Sequence, residues 1–338
     1  MEQKLKVNES QYPDSRTAFP WSTTELRPVF GPVLRAQSIG GIAVREISQS
    51  VSGRIAAVFD RSVYVDLGSQ WICFGDATVG NGPVNLSLEP TPYSGVFADL
   101  VVDQPVRVCA GAVHLGNRPL IIETPAKIWS PPLVPCWTNE SLMRGLDALN
   151  AISRGRVPRQ GLGMFLYGHD AELSDIREAH VCALPVFELG RWLLNHLADK
   201  CCVEGVPESA QQLIGLGPGL TPSGDDFLGG VLIALSLVHR QDIAALLYAD
   251  LSPHLLTRTG PISRTHLVAA SAGQGLETLH LAINSVIEGN VEMIPTRVHR
   301  IERIGSSSGW DALAGACVVL RACLVQSAGL HKNPLRSN

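Results

Sequence analysis

The chain has 338 residues, of which 45% are hydrophobic and 17% charged, and its formal net charge is −4. That balance describes a folded protein with a sizeable core and excludes a disordered chain; the mild acidity and the lack of a long basic run argue against nucleic acid as a partner. The start, Met1-Glu2-Gln3-Lys4-Leu5-Lys6, is polar and the longest apolar run, Phe227 to Val238, is too short to span a bilayer, so a cytoplasmic protein with no membrane partner is expected.

Residues 1–32 are polar, proline-bearing and without periodicity, and are expected to form an extension. From Val33 the character turns to β. Ile55 to Phe59, Ser62 to Leu67, Trp71 to Phe74, Val96 to Val102, Val106 to Val113 and Leu120 to Glu123 are short β-favouring runs, with turn residues such as Gly80-Asn81-Gly82-Pro83 between them. Residues 33–130 are therefore expected to form a β-rich domain, an antiparallel sheet or small barrel. Ser130-Pro131-Pro132-Leu133-Val134-Pro135 marks its end.

Beyond that stretch the apolar period lengthens from two to nearly four. Helices are predicted at Ser141 to Ile152, Ser174 to Cys182, Val186 to Cys202 and Thr221 to His239, then at Ile243 to Leu247, Ser263 to Ser271, Leu276 to Glu288 and Trp310 to Gln326. Residues 131–338 thus read as a mainly α-helical domain, and the fold class is α+β by segregation. The 8 cysteines include no C-x-x-C pair and read as buried thiols in a reducing compartment, and the histidines assemble no zinc spacing.

The most informative stretch is Gly215-Leu216-Gly217-Pro218-Gly219-Leu220-Thr221-Pro222-Ser223-Gly224-Asp225-Asp226, which runs into an apolar helix. Glycine and proline forbid a helix before about Pro222, so a loop turns into a helix start with polar groups gathered at the turn. Backbone N–H groups there, with the helix dipole, suit an anion. The structural alternative is a helix start with Thr221 as N-cap, Pro222 at the first position, and Ser223 and Asp226 as a capping-box variant. Two adjacent carboxylates would repel a bare phosphate. A divalent cation such as Mg2+ on Asp225 and Asp226, or a substrate amide on either, would resolve that.

An echo follows. Ser223-Gly224-Asp225-Asp226-Phe227-Leu228-Gly229-Gly230 is answered by Ser308-Gly309-Trp310-Asp311-Ala312-Leu313-Ala314-Gly315, both S-G-x-D-x-L-x-G and both opening an apolar helix. The reading preferred here is that the two loops face one pocket. Thr257 to Thr265 makes a third polar loop, with Ser263 as N-cap and Arg258 or Arg264 able to clamp an anion. Arg297, His299, Arg300 and Arg303 read as a solvated face. The glycine loop is neither a P-loop, since no lysine lies between Lys200 and Lys332, nor a dinucleotide fingerprint, so no nucleotide or organic cofactor is expected.

The stretch from Gly215 to Leu228 resembles the signature of the AllH-like family, long carried as a domain of unknown function, which includes the AllH subunit of bacterial oxamate carbamoyltransferase. Ile304-Gly305-Ser306-Ser307-Ser308-Gly309-Trp310-Asp311 is similar to its second signature, although the family usually has histidine at the position of Ser306. Trp71 to Gly75 with Gly80 to Leu86 resembles its N-terminal domain. The resemblance implies carbamoyl transfer between carbamoyl phosphate and oxamate, giving oxalurate and phosphate, in purine catabolism, by a complex of different subunits.

On this reading Gly217, Gly219, Thr221, Ser223, Gly224, Ser307, Ser308 and Gly309 bind a small anionic substrate, with Arg258 and Ser263 beside them. Asp225, Asp226 and Asp311 are the catalytic candidates, and Asp225 and Asp226 the metal candidates. Two alternatives stand beside it: a non-catalytic binding or assembly subunit, and a carboxylase-like enzyme.

Overall fold

The computed structural model describes residues 33–48, 51–68, 70–90, 95–109, 112–116, 120–123, 127–170, 177–198 and 204–330. The extension expected at residues 1–32 lies outside them. Strands β1 (Val33–Gly40), β2 (Val51–Val58), β3 (Ser62–Asp66), β4 (Trp71–Gly75), β5 (Asn85–Leu88), β6 (Pro105–Cys109), β7 (Ala112–Leu115), β8 (Leu120–Glu123) and β9 (Lys127–Trp129) form one sheet. Its order is β5-β4-β3-β2-β6-β7-β8-β1-β9, and a further pairing of β5 with β1 closes it on itself. In β3 and β6 every second residue points inward, so Val63, Val65, Val106 and Val108 join Ile55, Ile72, Phe74, Leu86 and Leu115 in the barrel interior.

The sheet is mixed, which corrects the antiparallel expectation: β4–β5, β1–β8 and β1–β9 are parallel pairs. A parallel neighbour requires a crossover, and the turn residues Gly80 to Pro83 belong to one. There the Pro83 carbonyl accepts from the N–H groups of Ile42 and Ala43 at the start of helix α1 (Gly41–Ile47). The run Val96 to Val102 is not a strand. Gly95, at φ 69°, opens successive tight turns, with Ala98 N–H on Gly95 O and Leu100 N–H on Phe97 O. Of that run Phe97 is buried in the barrel core while Val101 stays 60% exposed. The run Val106 to Val113 is divided between β6 and β7, which pair antiparallel.

The helical part comprises α2 (Asn139–Ser153), α3 (Arg177–Ala198), α4 (Ser223–Leu237), α5 (Gln241–Arg258), α6 (Pro261–Ser271), α7 (Glu277–Glu288), α8 (Ile294–Ile301) and α9 (Ser308–Leu330). Helix α2 starts on a capping box between Thr138 and Ser141. Helix α3 joins two predicted helices through Pro185, and α5 runs far past Leu247 through Pro253. The basic stripe at Arg297 to Arg300 lies on α8, whose Ile294, Val298 and Ile301 face the core.

Helix α4 is the centre of this half. Phe227, Leu228, Val231, Leu232, Ala234 and Leu235 have no exposed surface, as expected of a helix apolar on all sides. It packs closely against α9 because both carry glycine at the contact: a Cβ on Gly230 would overlap the Ala312 carbonyl, and one on Gly315 the Phe227 carbonyl. The sheet is tied to the helices through Glu277, which accepts from Asn81 Nδ2 at 3.0 Å and Trp129 Nε1 at 3.2 Å. A second tie joins Tyr64 Oη and His266 Nε2 at 3.2 Å. Among the described residues no helix is long and apolar enough to cross a membrane.

Candidate functional site

The loop before α4 is shaped by its glycines. Gly215 and Gly217 have φ of 71° and 111°, the left-handed side that residues with a Cβ avoid. A side chain at Gly215 would also strike the Arg258 carbonyl. Pro222, not Thr221, is the N-cap of α4, and no side chain caps the helix. Thr221 instead turns its hydroxyl to Ser308 Oγ, 3.1 Å away. The other helix start has the same form: Gly305 has φ 60°, Gly309 N–H bonds to Ile304 O at 3.1 Å, and Gly224 N–H bonds to Leu216 O at 2.9 Å.

These two loops and a third segment enclose a cleft of about 270 Å³. Its walls are residues 218–221 with Ser223, residues 305–308, and Gln160 with Gly161. The two S-G-x-D loops therefore do face one cleft. Among the described residues, the backbone N–H groups of Gly219, Leu220 and Thr221 on one wall, and of Ser306 and Ser307 on the other, find no backbone acceptor. With the start of α4 on one wall and that of α9 on the other, they offer donors suited to an anion, and among the described residues no cationic side chain lines the cleft.

The aspartates lie beneath this surface. Asp225 is buried; its carboxylate accepts from Gly215 N–H at 2.9 Å, from the Thr259 hydroxyl and from Ser263. It pins the glycine loop to the turn between α5 and α6. Burial raises its carboxyl from the ordinary value, and those donors hold the rise back. Asp311 has no exposed surface and accepts from Leu162 N–H at 2.6 Å, from Ser307 Oγ at 2.9 Å, and from Gly163 N–H and Ser223. Burial pushes it up to about 6.

Asp226 differs. The hydroxyls of Thr221 and Ser308, bonded to each other, lie beside it, and its Oδ2 is buried without a partner among the described residues. Burial raises its carboxyl well above the ordinary value, and the neighbouring Asp311 and Asp225 add to the rise.

Of the other sequence-predicted residues, Gly217, Gly224 and Gly309 shape the loops from behind the cleft. The Arg258 guanidinium donates to Gln211 O at 2.9 Å and does not line it. Ser263 is not an N-cap: α6 starts at Pro261 on Gly260, and Ser263 is buried inside the helix with its hydroxyl 3.4 Å from Leu220 O. Among the described residues no group of three or more His, Cys, Asp and Glu is placed to hold a metal ion. Of the metal candidates, Asp225 has its carboxylate committed to three donors, which leaves Oδ2 of Asp226 as the free ligand atom of the pair.

Residues 213–320 match the family model described as oxamate carbamoyltransferase subunit AllH. No solved structure matches the chain. The matched span holds both glycine loops, both S-G-x-D helix starts and the α5–α6 turn that Asp225 engages. The resemblance read from Gly215 to Leu228 and from Ile304 to Asp311 is thus confirmed over those residues.

The wall at Gln160 and Gly161, and the cover that Leu162 gives Asp311, lie outside the AllH match. Sequence reasoning missed them. A faint signal existed, since Gly161-Leu162-Gly163 repeats the Gly215-Leu216-Gly217 pattern. Gly161 has φ 85°, and a Cβ there would lie only 2.6 Å from Asp311 Oδ1.

Proposed function

We propose that this chain is an AllH-type subunit of a carbamoyltransferase complex, and that its cleft holds the anionic end of carbamoyl phosphate or of oxamate. The observation that carries the reading is the convergence on one cleft of two helix starts from the AllH-matched region, with five backbone N–H groups that find no backbone acceptor among the described residues. Phosphate or carboxylate oxygens are bound by those N–H groups and by the hydroxyls of Thr221, Ser307 and Ser308. In the reaction the amide nitrogen of oxamate forms a C–N bond to the carbamoyl carbon, the C–O bond to phosphate breaks, and the amide proton leaves with the phosphate.

A second reading has its own support. Among the described residues no Lys, Arg or His lines the cleft, so they offer a phosphoryl group no cationic side chain. The remaining charge would come from a partner subunit or from a cation arriving with the substrate. On this reading the chain binds or assembles, and the complex catalyses.

A thermal-shift titration of the full chain tests both. Carbamoyl phosphate, phosphate, oxamate and oxalurate are each added with and without magnesium. A saturable rise in Tm, equivalent to about 2.7 kcal/mol when ligand reaches a hundredfold excess over Kd, supports a substrate site on this chain. No rise with any ligand in either condition would remove the cleft as a binding site and leave the assembly reading.

A further inference from the structure

The basic residues that read from the sequence as a solvated face border the cleft. Two segments lead into its walls. Residues 154–159 run into Gln160 and Gly161, and α8 with the turn after it, residues 294–304, runs into residues 305–308. Together the two segments carry six arginines and one acidic residue, Glu302, in a chain whose net charge is −4. Positive charge is thus concentrated where two of the walls begin.

The segments are fastened to each other. Arg156 donates from Nε to Glu302 Oε1 at 2.8 Å and from Nη2 to Oε2 at 2.7 Å, a two-bond pair that uses the acidic residue of the two segments. The other arginines keep their charge uncompensated within these segments. Of them, Arg159 directly precedes Gln160 and Arg303 lies two residues before Gly305. Both are exposed, and among the described residues neither side chain has a hydrogen-bond or ion-pair partner. Consecutive α-carbons are about 3.8 Å apart, so the backbone of each stands within a Debye length, about 8 Å at physiological salt, of a wall residue. Neither arginine has to touch a ligand in the cleft to act on it.

We infer that the rim arginines, Arg159 and Arg303 foremost, draw anions into the cleft by long-range attraction and so favour doubly charged over singly charged ligands. The inference rests on the cleft being an anion site, and it adds the source of that site's charge selectivity. Among the described residues the walls hold no charged side chain, so they supply hydrogen bonds at short range while the rim supplies charge. Coulomb energy is proportional to ligand charge, so whatever factor the rim gives a monoanion becomes the square of that factor for a dianion in the same place. The attraction is also screened by salt, whereas a hydrogen bond lost from the walls stays lost.

Phosphate, at a pH where it carries two charges, and oxamate, which carries one, are titrated into the full chain by calorimetry at low and high salt. The unmodified chain is expected to lose about tenfold in phosphate affinity and about threefold in oxamate affinity as salt rises from about 0.01 to about 0.5 M. The double variant Arg159→Gln with Arg303→Gln is expected to be weaker by those same factors at low salt and to match the unmodified chain at high salt. Arg45→Gln, which removes an exposed charge on α1 in the sheet half, is expected to change neither affinity. Arg159→Glu is expected to lose about the square of the Arg159→Gln factor, a scaling that damage to the fold would not produce.

An anion affinity that does not respond to salt in the unmodified chain overturns the inference and leaves the cleft reading intact. So does a double variant that keeps the salt response, or one whose loss persists at high salt, since the arginines would then touch the anion or hold the walls. Equal losses for phosphate and oxamate overturn it as well. Failure of the unmodified chain to bind either anion at any salt overturns the cleft reading, and the inference with it.

Discussion

The start of α4 and the start of α9 are built from the same motif and end in opposite electrostatic conditions. Asp311 is buried under four donors from three segments, while Asp226, at the matching position, has the mutually bonded hydroxyls of Thr221 and Ser308 beside it and one orphaned oxygen. A buried carboxyl that is satisfied holds structure together; one that is not is tolerated at a cost of about 1–3 kcal/mol and is commonly retained for function. One motif therefore ends in two environments, and the segment at residues 161–163, which covers Asp311 alone, makes the difference.

The largest effect comes from breaking what the copies share. Gly230→Ala and Gly315→Ala each drive a methyl into a backbone carbonyl of the opposite helix, which cannot yield without parting α4 from α9. Each is expected to destabilise by about 3 kcal/mol or more. Gly229→Ala, whose added methyl would find nothing nearer than Ala270 Cβ at 4.0 Å, is expected to be neutral or stabilising by about 0.5–1 kcal/mol. Denaturant unfolding of the three variants separates close approach from helix propensity; similar midpoints for Gly229→Ala and Gly230→Ala would dissolve the glycine-contact argument.

Next comes the asymmetry itself. Asp311→Ala strands the Leu162 and Gly163 N–H groups in the core and is expected to cost about 3 kcal/mol. Asp226→Ala removes an oxygen that has no partner, and the Thr221 and Ser308 hydroxyls already bond to each other, so a cost below about 1 kcal/mol is expected. Equal losses for the two would mean that Asp226 is as structural as its counterpart.

The pH dependence sharpens the same contrast. In the native chain Asp311 titrates at about 6, above the ordinary carboxylate value of 3.8 that it takes when unfolded. As pH falls through 6 the native state binds a proton before the unfolded chain does, so stability rises on acidification and is lost as pH rises through about 6. Asp311→Asn has no such step. The stability of the unmodified chain minus that of the variant should therefore grow by about 2 kcal/mol between pH 7.5 and 4.5. His266 and His280, each depressed to about 4 by burial, destabilise both proteins on acidification and cancel in the difference. A flat difference would mean that the Asp311 proton is not bound more tightly in the fold.

Much of this was legible before the structure. Periodicity separated the β-rich segment from the helices, and the repeated S-G-x-D pattern pointed to one shared pocket. What was not legible depends on contacts distant in sequence. Nothing local at Asn85 to Leu88 announces a parallel strand, because parallel pairing is set by the crossover and not by the run itself. Nothing local distinguishes Asp225, Asp226 and Asp311 either. As a sequence all three are catalytic candidates alike, yet one pins a loop through Gly215 and Thr259, one is roofed by Leu162, and one is left incomplete. Ser263 and Thr221 read as caps because they precede or open helices, but proline takes the start of both, as N1 of α6 and N-cap of α4, and frees the hydroxyls for tertiary contacts.

The smallest expected effect concerns charge. Arg258 follows the Asp225 side of the comparison, since its carbonyl abuts Gly215 and its guanidinium donates to Gln211 O, so it braces the loop from behind without lining the cleft. If the anion is held by backbone N–H groups and helix starts, as the two copies suggest, Arg258→Ala should alter phosphate affinity by less than about twofold. It should also leave the salt dependence of binding unchanged, because a long-range exposed charge is screened within a Debye length of about 8 Å at physiological salt. A tenfold loss would give Arg258 a direct part in anion binding. The cleft would then close around a cation on the first copy alone, and the asymmetry between the copies would extend from their carboxylates to their charge.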